Sequence, residues 1–369
     1  MTLAQEKEGT GRTAGTRVGL VDCDVHNTAP SVQYLTKFLP EQWHPYVPQI
    51  FGRTWGGVTI GARQSSDIYR RDSHPPNGGP PGSDFEFLRE QLLDRWGVDR
   101  AILNPLEVLA WQVAQYGEFA HAMSAASNQW IIEDWLDRDE RLFATMSIPQ
   151  EDGPRAAQEI ERLASHPRFV AVLMTVWGRE PYGHPKYMPI FQAASDRDLP
   201  VIIHVGGWSG QLVAGGTPTY WCEHHSLNYE AYHAHVASLV YSGIFDRLPN
   251  LKIVLEEGGI GWMPSLLWRL DRSWKSMREH VPHMTRKPSE VVKEHFWFTT
   301  QPLDEPNESR YLVEMFEHLG MDDHILYSSD YPHHDFDAPD RILPTVGPEL
   351  RNKIFSLNAE ALFDFGPKS

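Results

Sequence analysis

Eight short apolar runs, each followed by a polar loop and, for the most part, a longer stretch of helical periodicity, constrain this sequence more than any other feature. Such βα alternation builds parallel strands joined by helices, and eight is the number that closes a (β/α)8 TIM barrel. The predicted strands are Val18–Asp22, Arg100–Asn104, Leu142–Ile148, Val170–Thr175, Pro200–His204, Lys252–Leu255, Phe296–Thr300 and Ile325–Tyr327. Helices are predicted over Asp84–Arg95, Glu118–Asp137, Pro154–Ser165, Met188–Asp196, Ala231–Phe245, Met263–Glu279, Ser309–Leu319 and Pro348–Phe363. Their apolar residues recur every three or four positions, as at Phe119, Met123 and Ala126. Turn chemistry agrees, with Arg-Leu-Pro-Asn at 247–250 ahead of one strand and Asp198-Leu199-Pro200 opening another.

Of the 369 residues, 1–17 are polar, Gly/Thr-rich and without the apolar centre of a signal peptide, so they read as a disordered N-terminal tail. Residues 18–369 read as a single barrel domain. The stretch Leu39–Ser83 is rich in Pro, Gly, Trp and Tyr and reads as a loop insertion after strand 1, on the catalytic face. No apolar run approaches the ~20 residues of a membrane helix. A formal net charge of −16 argues against a nucleic-acid partner, because phosphate binding needs clustered Lys and Arg. Only Cys23 and Cys222 are present, too few for a disulfide framework, which fits a reducing cytoplasm. The expectation is a soluble cytoplasmic protein with a small-molecule substrate. Its apolar stretches and aromatic insertion favour a homo-oligomer, or a hetero-oligomer with a related barrel subunit.

Polar residues concentrate at the ends of the predicted strands. In Val21-Asp22-Cys23-Asp24-Val25-His26, side-chain alternation puts Asp22, Asp24 and His26 on one face. Strand five ends in His204, and a His closing an apolar strand needs a polar or metallic partner. Strand six runs into Glu256-Glu257-Gly258-Gly259, and strand eight into Ser328-Ser329-Asp330-Tyr331-Pro332-His333-His334. Alone, each has a plainer reading, as a satisfied core histidine, a turn carboxylate or a solvated loop residue. Together, D-x-H, a terminal His and a terminal Asp on three strands of one barrel point to a shared metal site at its C-terminal mouth. Imidazole with carboxylate is the donor set of Zn, Mn or Fe, and no thiolate lies nearby.

With their flanks, these residues resemble the amidohydrolase superfamily, in the branch of metal-dependent decarboxylases acting on small aromatic and unsaturated acids. The supporting segments are Phe245-Asp246-Arg247-Leu248-Pro249-Asn250-Leu251-Lys252-Ile253-Val254, Thr299-Thr300-Gln301-Pro302, Ser329-Asp330-Tyr331-Pro332-His333 and Asn358-Ala359. The resemblance spans about residues 18–365 and implies metal ligands at Asp24, His26, His204 and Asp330. Where that branch carries H-x-H this chain has Asp24 and His26, and where it places a catalytic His at the end of strand six this chain has Glu257. A carboxylate there adds negative charge and raises the demand for cations, which suits a harder or a second metal ion. Glu257 could bridge two ions, with His225, His235 or His333 as additional ligands.

The resemblance therefore implies hydrolysis or non-oxidative decarboxylation of a small carboxylate- or amide-bearing molecule, with Glu257 or Asp330 as general base. Two other readings stand beside it. One is a dinuclear Fe/Mn centre that activates O₂ as a monooxygenase, and the other is a metal-stabilised partner subunit of a related active chain. Trp177 and Trp208, after strands four and five, are candidate walls of an apolar substrate pocket, and His333 lies near it. Arg179 is the candidate partner of a substrate carboxylate.

Overall fold

Where the chain carries its apolar runs, it forms strands buried on both faces. In the computed structural model, which describes residues 19–47, 68–106, 111–112, 114, 116–206, 216, 218–227 and 229–366, eight parallel strands follow one another in sequence order. They are β1 (Val21–Val25), β2 (Arg100–Leu103), β3 (Leu142–Ser147), β4 (Phe169–Thr175), β5 (Val201–His204), β6 (Ile253–Glu256), β7 (Phe296–Thr299) and β8 (Ile325–Leu326). The sheet closes through the segment that follows β8. Cys23 N donates to Tyr327 O at 3.0 Å, Asp330 N to Asp24 O at 3.1 Å and His26 N to Tyr331 O at 2.7 Å. The result is the (β/α)8 barrel, and its parallel strands deliver every C-terminal end to one mouth.

The outer layer contains α1 (Phe85–Leu88), α2 (Gly117–Ile131), α3 (Gly153–Leu163), α4 (Met188–Asp196), α5 (Trp221–Leu227), α6 (Glu230–Tyr241) and α7 (Ile244–Arg247). It continues with α8 (Met263–Ser276), α9 (Pro288–His295), α10 (Arg310–Leu319), α11 (Pro348–Asn352) and α12 (Asn358–Leu362). Local chemistry sets several of their ends. Asp84 accepts from Phe87 N at 3.0 Å at the start of α1, Asp152 accepts from Arg155 N at 3.3 Å at the start of α3, and Gly320 terminates α10 at φ 60°.

The structure departs from the sequence reading in a few places. β1 begins three residues later than predicted and runs through Asp24, because buried carboxylates continue a strand that an apolar pattern ends at Asp22. The predicted helix Ala231–Phe245 is two helices, α6 and α7, broken at Gly243. Its φ of +69° suits glycine, and a Cβ there would meet the His283 ring at 2.8 Å. Helices α5 and α9 were not predicted. The expected tail 1–17 and residues 48–67 of the insertion lie outside the described residues. The described end of that insertion sits on the mouth, where Tyr69 bridges His333 and Arg70 N donates to Pro332 O at 3.0 Å. Among the described residues, no helix is long and apolar enough to cross a membrane.

Candidate metal centre

Four strand ends bring the polar residues together. Asp24 and His26 come from β1 and the turn after it, His204 closes β5, Glu257 follows β6 and Asp330 follows β8. Asp24, His26, His204 and Asp330 are at most 1% exposed, while 11% of the Glu257 side chain remains open at the mouth. His26 Nε2 lies 3.5 Å from Asp24 Oδ1 and 3.0 Å from Asp330 Oδ1. His204 Nε2 lies 3.3 Å from Asp24 Oδ2 and 3.2 Å from Glu257 Oε2. His333 Nδ1 lies 2.6 Å from Asp330 Oδ1.

These donors form two overlapping quartets, Asp24–His26–His204–Glu257 and His26–Glu257–Asp330–His333, with the ligand atoms of each within 4.8 Å of one another. Donors bound at about 2.0–2.2 Å around one ion sit roughly 3 Å from their neighbours, which matches the separations here. Asp24 Oδ2, His26 Nε2, His204 Nε2 and Asp330 Oδ2 are all buried without a hydrogen-bond partner. Buried polar atoms are rarely left so, and a cation is the partner that satisfies imidazole nitrogens and carboxylate oxygens together, Asp24, His26 and His204 in one quartet and His26 and Asp330 in the other. The residues present therefore fit a divalent ion.

The surrounding contacts fix the ligands. His26 Nδ1 is hydrogen-bonded to Asn104 O at 2.6 Å and His204 Nδ1 to Val205 O, so both rings turn Nε2 into the cluster. Burial alone would push the Asp24 carboxyl up, but the His26 and His204 imidazoles outweigh it and hold it below the usual range. Burial alone would lower His26; the Asp24 and Asp330 carboxylates raise it to about 9. Glu257 is pushed well above its ordinary value, first by burial and then by the charges of Asp330 and Asp24. Glu257 and Asp330 both adopt left-handed backbone, each at φ 57°, a conformation that costs about 1–3 kcal/mol away from glycine and concentrates at functional sites.

Other candidates lie elsewhere. Asp22 points into the barrel, where its Oδ1 accepts from Ser329 N at 2.9 Å, and burial raises it to about 7. His235 is corrected as a ligand. Its Nε2 is hydrogen-bonded to Val176 O at 2.6 Å, its Nδ1 accepts from Tyr182 N at 3.2 Å, and the ring stacks on Tyr182, so both nitrogens are committed to packing α6 on the barrel. His225 is drawn to Asp335 instead, with Nε2 3.2 Å from Oδ2, and belongs to neither quartet. Arg179, 45% exposed, faces Glu151 at 3.8 Å rather than standing free for a substrate. Trp177 packs partly buried on the core just beyond β4, and Trp208 lies outside the described residues. A cavity of about 720 Å³ is lined by Arg70, Trp96, Leu303, His334, Phe336 and others, and its lining includes none of the cluster residues.

The sequence reading assigned no role to Asn104, Thr145 or Glu256. Asn104 Nδ2 donates to Asp24 Oδ1 at 2.9 Å and to Glu256 Oε2 at 2.8 Å, and Thr145 Oγ1 donates to Asn104 Oδ1 at 2.7 Å. Their shared signal was faint: a polar residue at or near the C-terminal end of an apolar strand.

A barrel whose mouth buries imidazoles and carboxylates around unsatisfied donor atoms belongs to the class of barrels built to hold a divalent cation. The family model described as Amidohydrolase matches residues 21–365, and the chain belongs to that family. It is similar to gamma-resorcylate decarboxylase of Rhizobium radiobacter, 28% identical over 293 residues that cover 76% of this chain and 87% of that protein. Two solved structures share the fold. The dihydroxybenzoic acid decarboxylase of Polaromonas sp. JS666, with bound manganese and 2-nitroresorcinol, is 20% identical with a TM-score of 0.65, over 94% of this chain and 97% of that one. The 5-carboxyvanillate decarboxylase of Sphingomonas paucimobilis is 21% identical with a TM-score of 0.68, over 94% and 99%.

Proposed function

We propose that this protein is a divalent-metal-dependent carboxy-lyase that removes the carboxylate of a small aromatic acid without oxidation. One observation carries the reading: buried, partnerless donor atoms of Asp24, His26, His204 and Asp330 converge at the barrel mouth in a chain whose similar curated relatives are named decarboxylases. Those four residues would hold the ion, with manganese favoured by the relative's structure. The ion, when bound, supplies Lewis-acid polarisation of a substrate oxygen.

The chain's own residues do the rest. The bond between ring carbon and carboxylate breaks with its electron pair left on the ring, CO₂ departs, and a proton must reach that carbon. Glu257 is placed to deliver it. In the metal-free protein burial, and then the charges of Asp330 and Asp24, push its carboxyl toward the protonated form, and it is the member of the first quartet open to the mouth. Asp330 holds His333 at 2.6 Å and keeps that ring against His26. Glu257 recovers its proton from solvent after product leaves.

A second reading rests on the overlap of the quartets. Glu257 belongs to both, and with Asp330 and His333 it would hold a second ion, which would supply the two-metal chemistry of an O₂-activating enzyme. Incubation of the manganese-loaded protein with hydroxybenzoic acids, with and without air, separates the two. Anaerobic CO₂ release with about one ion per chain supports the carboxy-lyase; turnover only with O₂ and reductant, and about two ions per chain, replaces it.

A further inference from the structure

Asn104 stands just beyond β2, 1% exposed, and every hydrogen-bonding group it directs at the site is used. Its main-chain oxygen accepts from His26 Nδ1 at 2.6 Å. Its side-chain oxygen accepts from Thr145 Oγ1 at 2.7 Å. Its amide nitrogen has two hydrogens and two carboxylates to receive them, Asp24 Oδ1 at 2.9 Å and Glu256 Oε2 at 2.8 Å. Flipping the amide would set its oxygen against Asp24 Oδ1 and Glu256 Oε2 and forfeit both N–H bonds to them, so the orientation present is the one that serves both.

From this we infer that Asn104 is a positioning residue for the cation, setting Asp24 and His26 at once and making Asp24 bind through Oδ2 alone. The inference rests on the cation reading above. With Oδ1 held by the amide, the oxygen left free is Oδ2, which has no hydrogen-bond partner and faces His204 Nε2 at 3.3 Å. The main-chain bond to His26 fixes the tautomer whose Nε2 carries the lone pair. No shorter or longer side chain serves Asp24, Glu256 and Thr145 together. Asp cannot donate, Ser cannot reach two carboxylates, and Gln is a methylene too long for a site closed by Thr145. The device crosses the barrel interior, tying β3 to the ends of β1 and β6 through one amide.

The test is a set of three variants compared with wild type: Asn104→Ala, Thr145→Val and Thr145→Ser. Chelator competition gives the Mn²⁺ affinity of each, and the visible spectrum of the Co²⁺-loaded protein reports the ligand field. Asn104→Ala leaves the main-chain contact to His26 in place, so its effect isolates the amide. It should weaken Mn²⁺ binding about 10–100-fold and alter the Co²⁺ spectrum. Thr145→Val, which removes only the hydroxyl, should shift both in the same direction by less, and Thr145→Ser should restore wild-type values. A folded Asn104→Ala protein with wild-type affinity and spectrum overturns the inference. Should that variant not fold, unchanged affinity and spectrum in Thr145→Val overturn it equally. A wild-type chain that binds neither ion removes the cation reading along with it. A chain that binds both ions and responds as stated, yet releases no CO₂, supports Asn104's role and sinks only the carboxy-lyase assignment.

Discussion

At position 257 a carboxyl stands where the resemblance implies an imidazole, and its surroundings decide what that exchange does. An imidazole beside the cation delivers a proton from an ordinary titration range. A carboxyl can do so near neutrality only if its charged form is disfavoured, and the burial of Glu257 acts in that direction. Glu257→Gln should therefore keep its metal content and lose CO₂ release by about 10²–10⁴-fold. The acid form is the active one, so the wild-type rate should fall as pH rises through the Glu257 titration, and the residual rate of the variant should lack that limb. His235 offers the opposite case. His235→Phe leaves Val176 O and Tyr182 N without partners and should cost about 1–3 kcal/mol by denaturant melting, while the ion count per chain stays at the wild-type value.

Among the elements, the loop that leads into α1 touches the centre through backbone rather than side chains. Gly82 has φ +77°, its oxygen accepts from Thr28 N at 3.0 Å, and a Cβ there would lie 2.6 Å from His26 O. A carbonyl cannot swing aside as a side chain does, so Gly82→Ala must move the turn that carries His26. That variant should both lower the melting temperature and weaken Mn²⁺ binding. Loss of stability with unchanged affinity would show that the turn gives way on the side of residue 82 instead. The strands themselves tolerate the strain at Glu257 and Asp330 because hydrogen bonds over-determine both ends: Glu257 N donates to Thr299 Oγ1 at 3.1 Å and Asp330 N to Asp24 O at 3.1 Å.

For the whole molecule, the centre couples stability to pH and to metal. In the metal-free protein His26 is raised from its ordinary 6.5 to about 9, so its contribution is full below about 6.5 and is lost as pH rises through 9. Asp22, an acid raised from 3.8 to about 7, also makes the fold less favourable as pH climbs between those values. Both act in one direction, and the melting temperature of metal-free protein should fall between pH 6 and pH 10. A bound cation takes the place of the proton on His26, so the metal-loaded protein should lose less over the same range. Metal at ~100 times its Kd should add about 2.7 kcal/mol, read as a rise in melting temperature that EDTA reverses. A metal-free protein whose melting is flat across this range would argue against the cluster as drawn.

How much of this could be read in advance depended on how local each signal was. Strand and helix periodicity is a property of neighbouring residues, so the eight-strand barrel and the position of Asp24, His26, His204 and Asp330 at strand ends followed from the chain alone. The break at Gly243 was missed because apolar spacing runs through it, and the left-handed turn shows only in φ. What the loop histidines do was not readable either. His235 is claimed by main-chain groups 53 and 59 residues away, while His333 is held by Asp330 only three residues back, and nothing in their local sequence tells these fates apart. Asn104 reaches Asp24 across 80 residues and Glu256 across 152. Residue order thus determined the barrel and the kind of chemistry its mouth could hold. Closure of the sheet decided which donors face one another, because distance through space between strand ends is fixed by packing and not by separation along the chain.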